Sequence, residues 1–217
     1  MKVNIVDGRK ETKFSENPKL LVDIYRSTTT IPMMLKSGSI KIIPTDSVSK
    51  AKKIKRENSN FILAGERYGF KVPGFEMSNS PYEVSRRDLT GKTVILTSTN
   101  GTKVLEKIKN KGEVFITSYV NFSATAQCFS DVPELDVVVS GRPDGKADED
   151  YYFAQFAREY FENGKKDFNK YIELTKQGSG TKRLTLIGGG KDIPFCLSVD
   201  IVDFPVVYTD ASIVKKT

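Results

Sequence analysis

Apolar and polar positions along this chain follow two alternating rhythms. Short runs of aliphatic and β-branched residues recur at Lys19 to Asp23, Ile40 to Ile43, Phe61 to Ala64, Thr93 to Leu96, Glu113 to Ile116, Leu135 to Val139 and Val206 to Tyr208. Such short runs, mostly flanked by turn formers, predict buried strands. Between them lie stretches with helical spacing. Thr28 to Lys36 is stopped by Gly38, and Ser47 to Glu57 is opened by Asp46 as an expected N-cap. Thr102 to Lys109, Phe122 to Ser130, Asp148 to Asn163 and Asp192 to Val199 continue the series, and Tyr171 to Leu174 reads as helical. The Gly-, Pro-, Asn- and Ser-rich stretch from Gly65 to Pro81 reads as a loop.

Strands that alternate with helices predict an α/β fold, three-layer α/β/α, with a largely parallel or mixed sheet. The length of 217 residues fits a single domain over 1–217, or two close-packed lobes meeting near 88–92. Val22 to Ile43 and Ile95 to Ile116 share an order of strand, hydroxyl-rich turn, helix, glycine and strand. Ordinary βαβ grammar explains that echo without a duplication.

Composition narrows the chemistry. Hydrophobic residues are 38% and charged residues 28%, ordinary for a chain with a real core. No apolar run approaches membrane-spanning length and no signal-peptide core opens the chain, so a cytoplasmic location is expected. Cys128 and Cys196 each sit in apolar surroundings and read as free thiols. The net charge of +7 is spread out. Its densest run, Lys50 to Arg56, has the spacing of a solvated helix face rather than a nucleic-acid patch. The chain contains no histidine, which excludes a Ser-His-Asp triad, a histidine phosphatase and any His-bearing zinc site. Carboxylates, hydroxyls, Arg, Lys, amides or a hard cation must then do the chemistry.

Four segments carry candidate groups. Asp23-Ile-Tyr-Arg26-Ser-Thr-Thr-Thr30 and Thr97-Ser-Thr-Asn-Gly-Thr102 both join a strand to a helix and offer amides and hydroxyls to an anion. Gly65-Glu-Arg67, with the following Gly74 to Pro81, mixes an acid, a base and turn formers. Ser140 to Asp150 places Asp144, Asp148, Glu149 and Asp150 after a strand, where they could serve a helix dipole or a magnesium ion. No Cys-x5-Arg loop, no strand-borne Asp-x-Asp and no Walker phosphate loop is present.

In order along the chain, these segments resemble the 2-phosphosulfolactate phosphatase family, the ComB-like proteins. The matching pieces are Asp23 to Thr30, Leu63 to Arg67, Gly74 to Pro81, Thr97 to Thr102, Ser118 to Asn121 with Ala124, Glu149-Asp150, and Asp192 to Leu197 with Asp200. Tyr25, Ser27 and Met77-Ser78 depart from the family's usual residues. The resemblance implies an α/β/α fold, a Mg2+ cofactor and removal of phosphate from (2R)-2-phospho-3-sulfolactate, a reaction of coenzyme M biosynthesis. It also implies a small anionic phosphomonoester as partner, with no nucleic acid and no membrane; a homodimer is allowed for. Catalysis is expected from Asp23, Arg26, Glu149 and Asp150, with magnesium on Glu149, Asp150 and Asp23. Asp23 would serve as a metal ligand or as the nucleophile. The phosphoryl group is expected on Arg26, Ser27, Thr28 and Thr29, with Thr99, Asn100, Gly101 and Thr102 beside it or on the sulfonate. Arg67 would take the carboxylate or sulfonate with Glu66 fixing its side chain, and Asn79 and Asn121 complete the expected substrate contacts. Isomerase or lyase chemistry, another phosphomonoester and a non-catalytic anion-binding module are the competing readings.

Overall fold

Each of the seven apolar runs forms a strand, and three further strands join them. The computed structural model describes residues 1–143, 145 and 147–216. Its strands are β1 (Lys2–Asp7), β2 (Lys19–Val22), β3 (Lys41–Thr45), β4 (Ile62–Arg67), β5 (Phe70–Lys71), β6 (Thr93–Thr97), β7 (Val114–Ile116), β8 (Glu134–Val139), β9 (Val206–Thr209) and β10 (Ser212–Lys215). They form one mixed sheet in the order β1-β8-β2-β7-β9-β10-β3-β6-β4-β5. The helices are α1 (Ser27–Lys36), α2 (Val48–Glu57), α3 (Pro81–Val84), α4 (Gly101–Ile108), α5 (Phe122–Ala126), α6 (Asp148–Asn163), α7 (Phe168–Gln177), α8 (Ser179–Leu186) and α9 (Ile193–Cys196). The whole is a three-layer α/β fold.

Side-chain alternation builds the layers, because successive residues of a strand point to opposite faces. Leu20 and Val22 of β2 join Phe115, Val137 and Val139 under Phe122, Phe153 and Phe156. Leu21 points the other way, with Ile116 and Val138, against Ile31, Met34 and Leu35 of α1 and Leu105 and Ile108 of α4. Phe122 meets both Phe153 and Phe156 edge to face. α2 covers a smaller core of Ala51, Leu63 and Ile95.

The sheet has two parallel blocks. β1, β8, β2 and β7 run together, as do β3, β6 and β4. The β9–β10 hairpin lies between the blocks and pairs antiparallel to both. Three successive antiparallel junctions set the blocks against one another. A twist of roughly 20–25° per strand step accumulates to about 100–125° over the five steps from β2 to β6. That rotation lets the carboxyl ends of β2 and β6 meet although their blocks are opposed, rather than lining one common edge.

Several local expectations change. Asp46 is not the cap of α2: Ser47 is, and its hydroxyl accepts the Lys50 N–H at 3.2 Å. Asp46 instead pairs with the Lys50 ammonium at 2.9 Å. The Gly65–Pro81 stretch is not all loop, since β4 runs on to Arg67 and turns back as β5. The run from Phe122 breaks at Gln127 into a 3-10 turn. α8 was not expected from the sequence at all.

Candidate active site

The site begins where β2 ends. Asp23 is buried, and its Oδ2 accepts the Gly101 N–H from the β6–α4 turn at 3.0 Å. A side chain at position 101 would put its Cβ 2.8 Å from that oxygen and 3.0 Å from Ser27 Cβ, so only glycine permits the contact. Burial, then the negative charge of Glu66, pushes the Asp23 carboxyl up to about 6, against hydrogen bonds from Ser27 and Gly101 that favour the charged form.

Glu66, near the end of β4, organises the second side of the site. Its Oε1 accepts the Thr99 N–H at 2.5 Å, and its Oε2 accepts the Thr99 hydroxyl at 2.9 Å and the Gly69 N–H at 2.7 Å. One carboxylate thus fastens the β4–β5 hairpin to the β6–α4 turn. Asn100 is held by Arg9, whose Nη2 donates to Asn100 Oδ1 at 2.6 Å. Asn79 donates to the Ser27 hydroxyl at 3.1 Å, and its Oδ1 has no hydrogen-bond partner.

The first turn of α6 supplies the rest. Asp150 accepts the Ile24 N–H at 2.8 Å and the Gly141 N–H at 3.3 Å, which ties the β2–α1 turn to the segment after β8. Glu149 is buried and its Oε2 has no hydrogen-bond partner. A Cβ at Gly180 of α8 would come within 2.1 Å of that oxygen, so α8 rests directly on the Glu149 carboxylate. Burial pushes Glu149 up to about 7, with Arg142 pulling it back and Asp23 adding to the rise. Asp150 is raised well above the ordinary aspartate range by burial and by the charges of Glu149 and Asp23.

Asp23, Arg26, Ser27, Glu66, Asn79, Thr99, Asn100 and Glu149 line a cleft of about 60 Å³, whereas Asp150, expected among the metal ligands, lies outside its lining with both oxygens on backbone amides. Space on that scale holds roughly four to six waters, or a small anion with a cation. Mutually repelling buried carboxylates and an unpartnered Glu149 oxygen fit a hard divalent cation. Among the described residues no three His, Cys, Asp or Glu side chains form a ready-made cage. A magnesium ion that takes one or two carboxylates and completes its octahedron with water and phosphate could draw those carboxylates from Asp23 and Glu149.

Other expected site residues lie elsewhere. Arg26 borders the cleft, but its Nη1 donates to Asp192 Oδ2 at 2.6 Å in a buried ion pair, and its Nη2 donates to the Gly69 carbonyl at 2.7 Å. Asp192 also accepts the Ser80 hydroxyl and the Tyr82 N–H at 3.2 Å. Thr28 accepts the Asp23 N–H, while Thr29 donates to the Ile24 carbonyl and to Ser118. Both are fully buried and outside the cleft lining. Thr102 turns back to Ser98, and Asn121 caps its own turn with Ser118 and Thr117.

Arg67 is also outside the lining. It donates to the Glu66 carbonyl, to Thr97 at 2.8 Å and towards Asp46. Neighbours in a strand face opposite ways, so Glu66 serves the cleft and Arg67 cannot. Asp144, one of the four carboxylates noted in the sequence, lies outside the described residues.

Tyr25, Tyr68, Gly69, Arg142, Gly180, Arg183, Leu184 and Ile187 line the cleft without having been singled out as site residues. Gly180, Arg183, Leu184 and Ile187 have the i, i+3, i+4, i+7 spacing of one helix face, a signal masked in the sequence by flanking glycines.

Comparison with known proteins gives the chain a family. The family model described as 2-phosphosulpholactate phosphatase matches residues 4–211. A protein of Thermoplasma acidophilum named as a probable 2-phosphosulfolactate phosphatase is 42% identical over 215 residues, covering 99% of this chain and 96% of that protein. A Thermoplasma volcanium protein of the same name is 39% identical over 214 residues, covering 98% and 99%. One from Thermotoga petrophila is 31% identical over 198 residues, covering 84% and 85%.

Proposed function

The chain belongs to the 2-phosphosulfolactate phosphatase family, and on that premise we propose that it hydrolyses (2R)-2-phospho-3-sulfolactate to 3-sulfolactate and inorganic phosphate with the help of magnesium. The observation that carries this reading is the meeting of Asp23 and Glu149 in a small cleft, each carboxyl raised by burial and by a neighbouring charge. Such a group gains most from a cation and a phosphate that arrive together. The reaction belongs to the coenzyme M type of pathway, with the cytoplasm as its setting. No helix among the described residues is long and apolar enough to cross a membrane.

In the proposed mechanism Asp23 and Glu149 would hold the metal ion. When bound there, magnesium supplies charge neutralisation at a phosphoryl oxygen. The Gly101 amide fixes the Asp23 carboxylate by its Oδ2. Asp150 holds the Ile24 and Gly141 amides and so sets the two loops at their separation. Glu66 keeps Thr99 and the hairpin against the phosphoryl site. Asn79 Oδ1 is free to accept from a protonated phosphate oxygen. Water adds to phosphorus, the phosphorus–oxygen ester bond breaks, and the leaving alkoxide takes a proton. Phosphoryl transfer needs mainly positioning and charge compensation, so a site without histidine is adequate.

The test is phosphate release from racemic phosphosulfolactate, phospholactate and phosphoglycolate, each with magnesium and with EDTA. Magnesium-dependent release that prefers the sulfonated ester is expected. Release from the other esters alone would overturn the substrate, and release unaffected by EDTA would overturn the metal.

A further inference from the structure

The cleft has two chemically different walls. One is made by the strand ends and the first turn of α6, and it carries Asp23, Glu66 and Glu149. The other carries Arg142, which follows β8, and Arg183 of α8. Gly180 lies against the Glu149 carboxylate, and Arg183 stands three residues further along the same helix face. At 1.5 Å per residue that places it about 4.5 Å along the axis from the contact with Glu149. Arg142 reaches the same helix from the side, donating to the Ser179 hydroxyl at 2.9 Å. Ser179 in turn donates to Asp148 at 2.7 Å, so the first residue of α8 orients the guanidinium. Arg142 and Glu149 line the same cleft.

We infer that Arg142 and Arg183 form a second anion subsite that binds the sulfonate of the substrate while the phosphate sits at the carboxylate wall. The inference rests on the phosphosulfolactate reading. In that substrate phosphorus and sulfur are separated by only four bonds, so both anionic groups fit within one small cleft lined by Glu149, Arg142 and Arg183. A sulfonate is a permanent anion of low basicity that offers three acceptor oxygens, which planar guanidinium forks match well. Arg67, the arginine expected for this role from the sequence, faces away from the cleft.

The test compares Arg183→Gln and Arg142→Gln with the wild-type enzyme on three esters. These are phosphosulfolactate, phospholactate, which lacks the sulfonate, and phosphorylated isethionate, which lacks the carboxylate. Each variant is expected to lose about ten- to hundredfold in kcat/KM on both sulfonated esters, mainly through KM, and at least tenfold less on phospholactate. Competitive inhibition by 3-sulfolactate should weaken in parallel, and Arg183→Lys should recover part of the loss. Thermal melting of each variant confirms that it is folded.

Equal losses on all three esters, or unchanged inhibition by sulfolactate, would overturn the subsite while leaving the phosphatase reading intact. A greater loss on phospholactate than on phosphorylated isethionate would assign the arginines to the carboxylate and overturn the sulfonate assignment. A wild-type enzyme inert towards phosphosulfolactate would overturn the functional reading and this inference with it.

Discussion

The β2–α1 and β6–α4 turns look alike in sequence and behave differently in the fold. Each is rich in hydroxyls, and each uses a threonine of its helix to hold the strand end. Thr28 accepts the Asp23 N–H at 2.9 Å, and Thr102 accepts the Ser98 N–H at 3.0 Å. The shared hydroxyls are therefore a device for entering a helix from a strand. What differs is charge. The first turn brings Asp23 and Arg26, whereas the second brings Asn100 and an amide at Gly101 that holds Asp23 in place. Hydroxyl content marks the place where the chain turns, and the carboxylate marks where the chemistry is.

That contrast can be attacked at several points. The largest effect is expected from Glu149→Gln, which keeps the shape of the carboxylate wall and removes a charge. Phosphate release should fall by about a thousandfold or more, and near-normal release would remove Glu149 from the reaction. Next comes Arg26→Ala, which leaves Asp192 buried without its partner. Breaking such a pair costs about 3–5 kcal/mol, so the variant should melt far below the wild type before its activity can be interpreted.

Proton affinity supplies the third test. Asp23 is raised from the ordinary 3.8 to about 6, and Glu149 from the ordinary 4.5 to about 7. A carboxyl with a raised folded value contributes its stability below the unfolded value and loses it as pH rises through the folded one. The metal-free protein should accordingly lose on the order of 3 kcal/mol or more between about pH 4 and pH 8. Denaturation midpoints in EDTA would show it, and magnesium should restore most of the loss at the alkaline end. A profile that is flat in EDTA would contradict the carboxylate cluster.

Gly101→Ala tests the link between the turns. Its Cβ would sit 2.8 Å from Asp23 Oδ2, and relieving that contact should cost about 1–3 kcal/mol and displace the carboxylate. A clear drop in kcat is expected. The smallest effect belongs to Thr28→Val, which should lower stability by about 1–2 kcal/mol through an unpaired amide. Its kcat should stay within a fewfold of wild type.

The sequence showed the layers plainly because alternation along the strands needs no tertiary knowledge. Leu20, Leu21 and Val22 already announce a strand buried on both faces. Strand order was not legible. The β9–β10 hairpin that joins the blocks turns through Asp210 and Ala211, both at positive φ, without the Asn-Gly pair that usually signals such a turn. The pairing of Arg26 with Asp192 spans 166 positions and left no local trace. Arg67 misled because β4 continues two residues past Gly65, which sends its side chain to the face opposite Glu66. Arg183 was hidden because a Ser-Gly start and three glycines after the helix read as loop.

The most direct measurement is the rate of phosphate release from phosphosulfolactate, in saturating magnesium, by Asp23→Asn and Thr102→Val side by side. Asp23→Asn should lose about a thousandfold or more while remaining folded, and Thr102→Val should keep its kcat within a fewfold of wild type. Comparable losses in both, or a greater loss in Thr102→Val, would contradict the claim that the carboxylate turn rather than the hydroxyl turn carries the reaction.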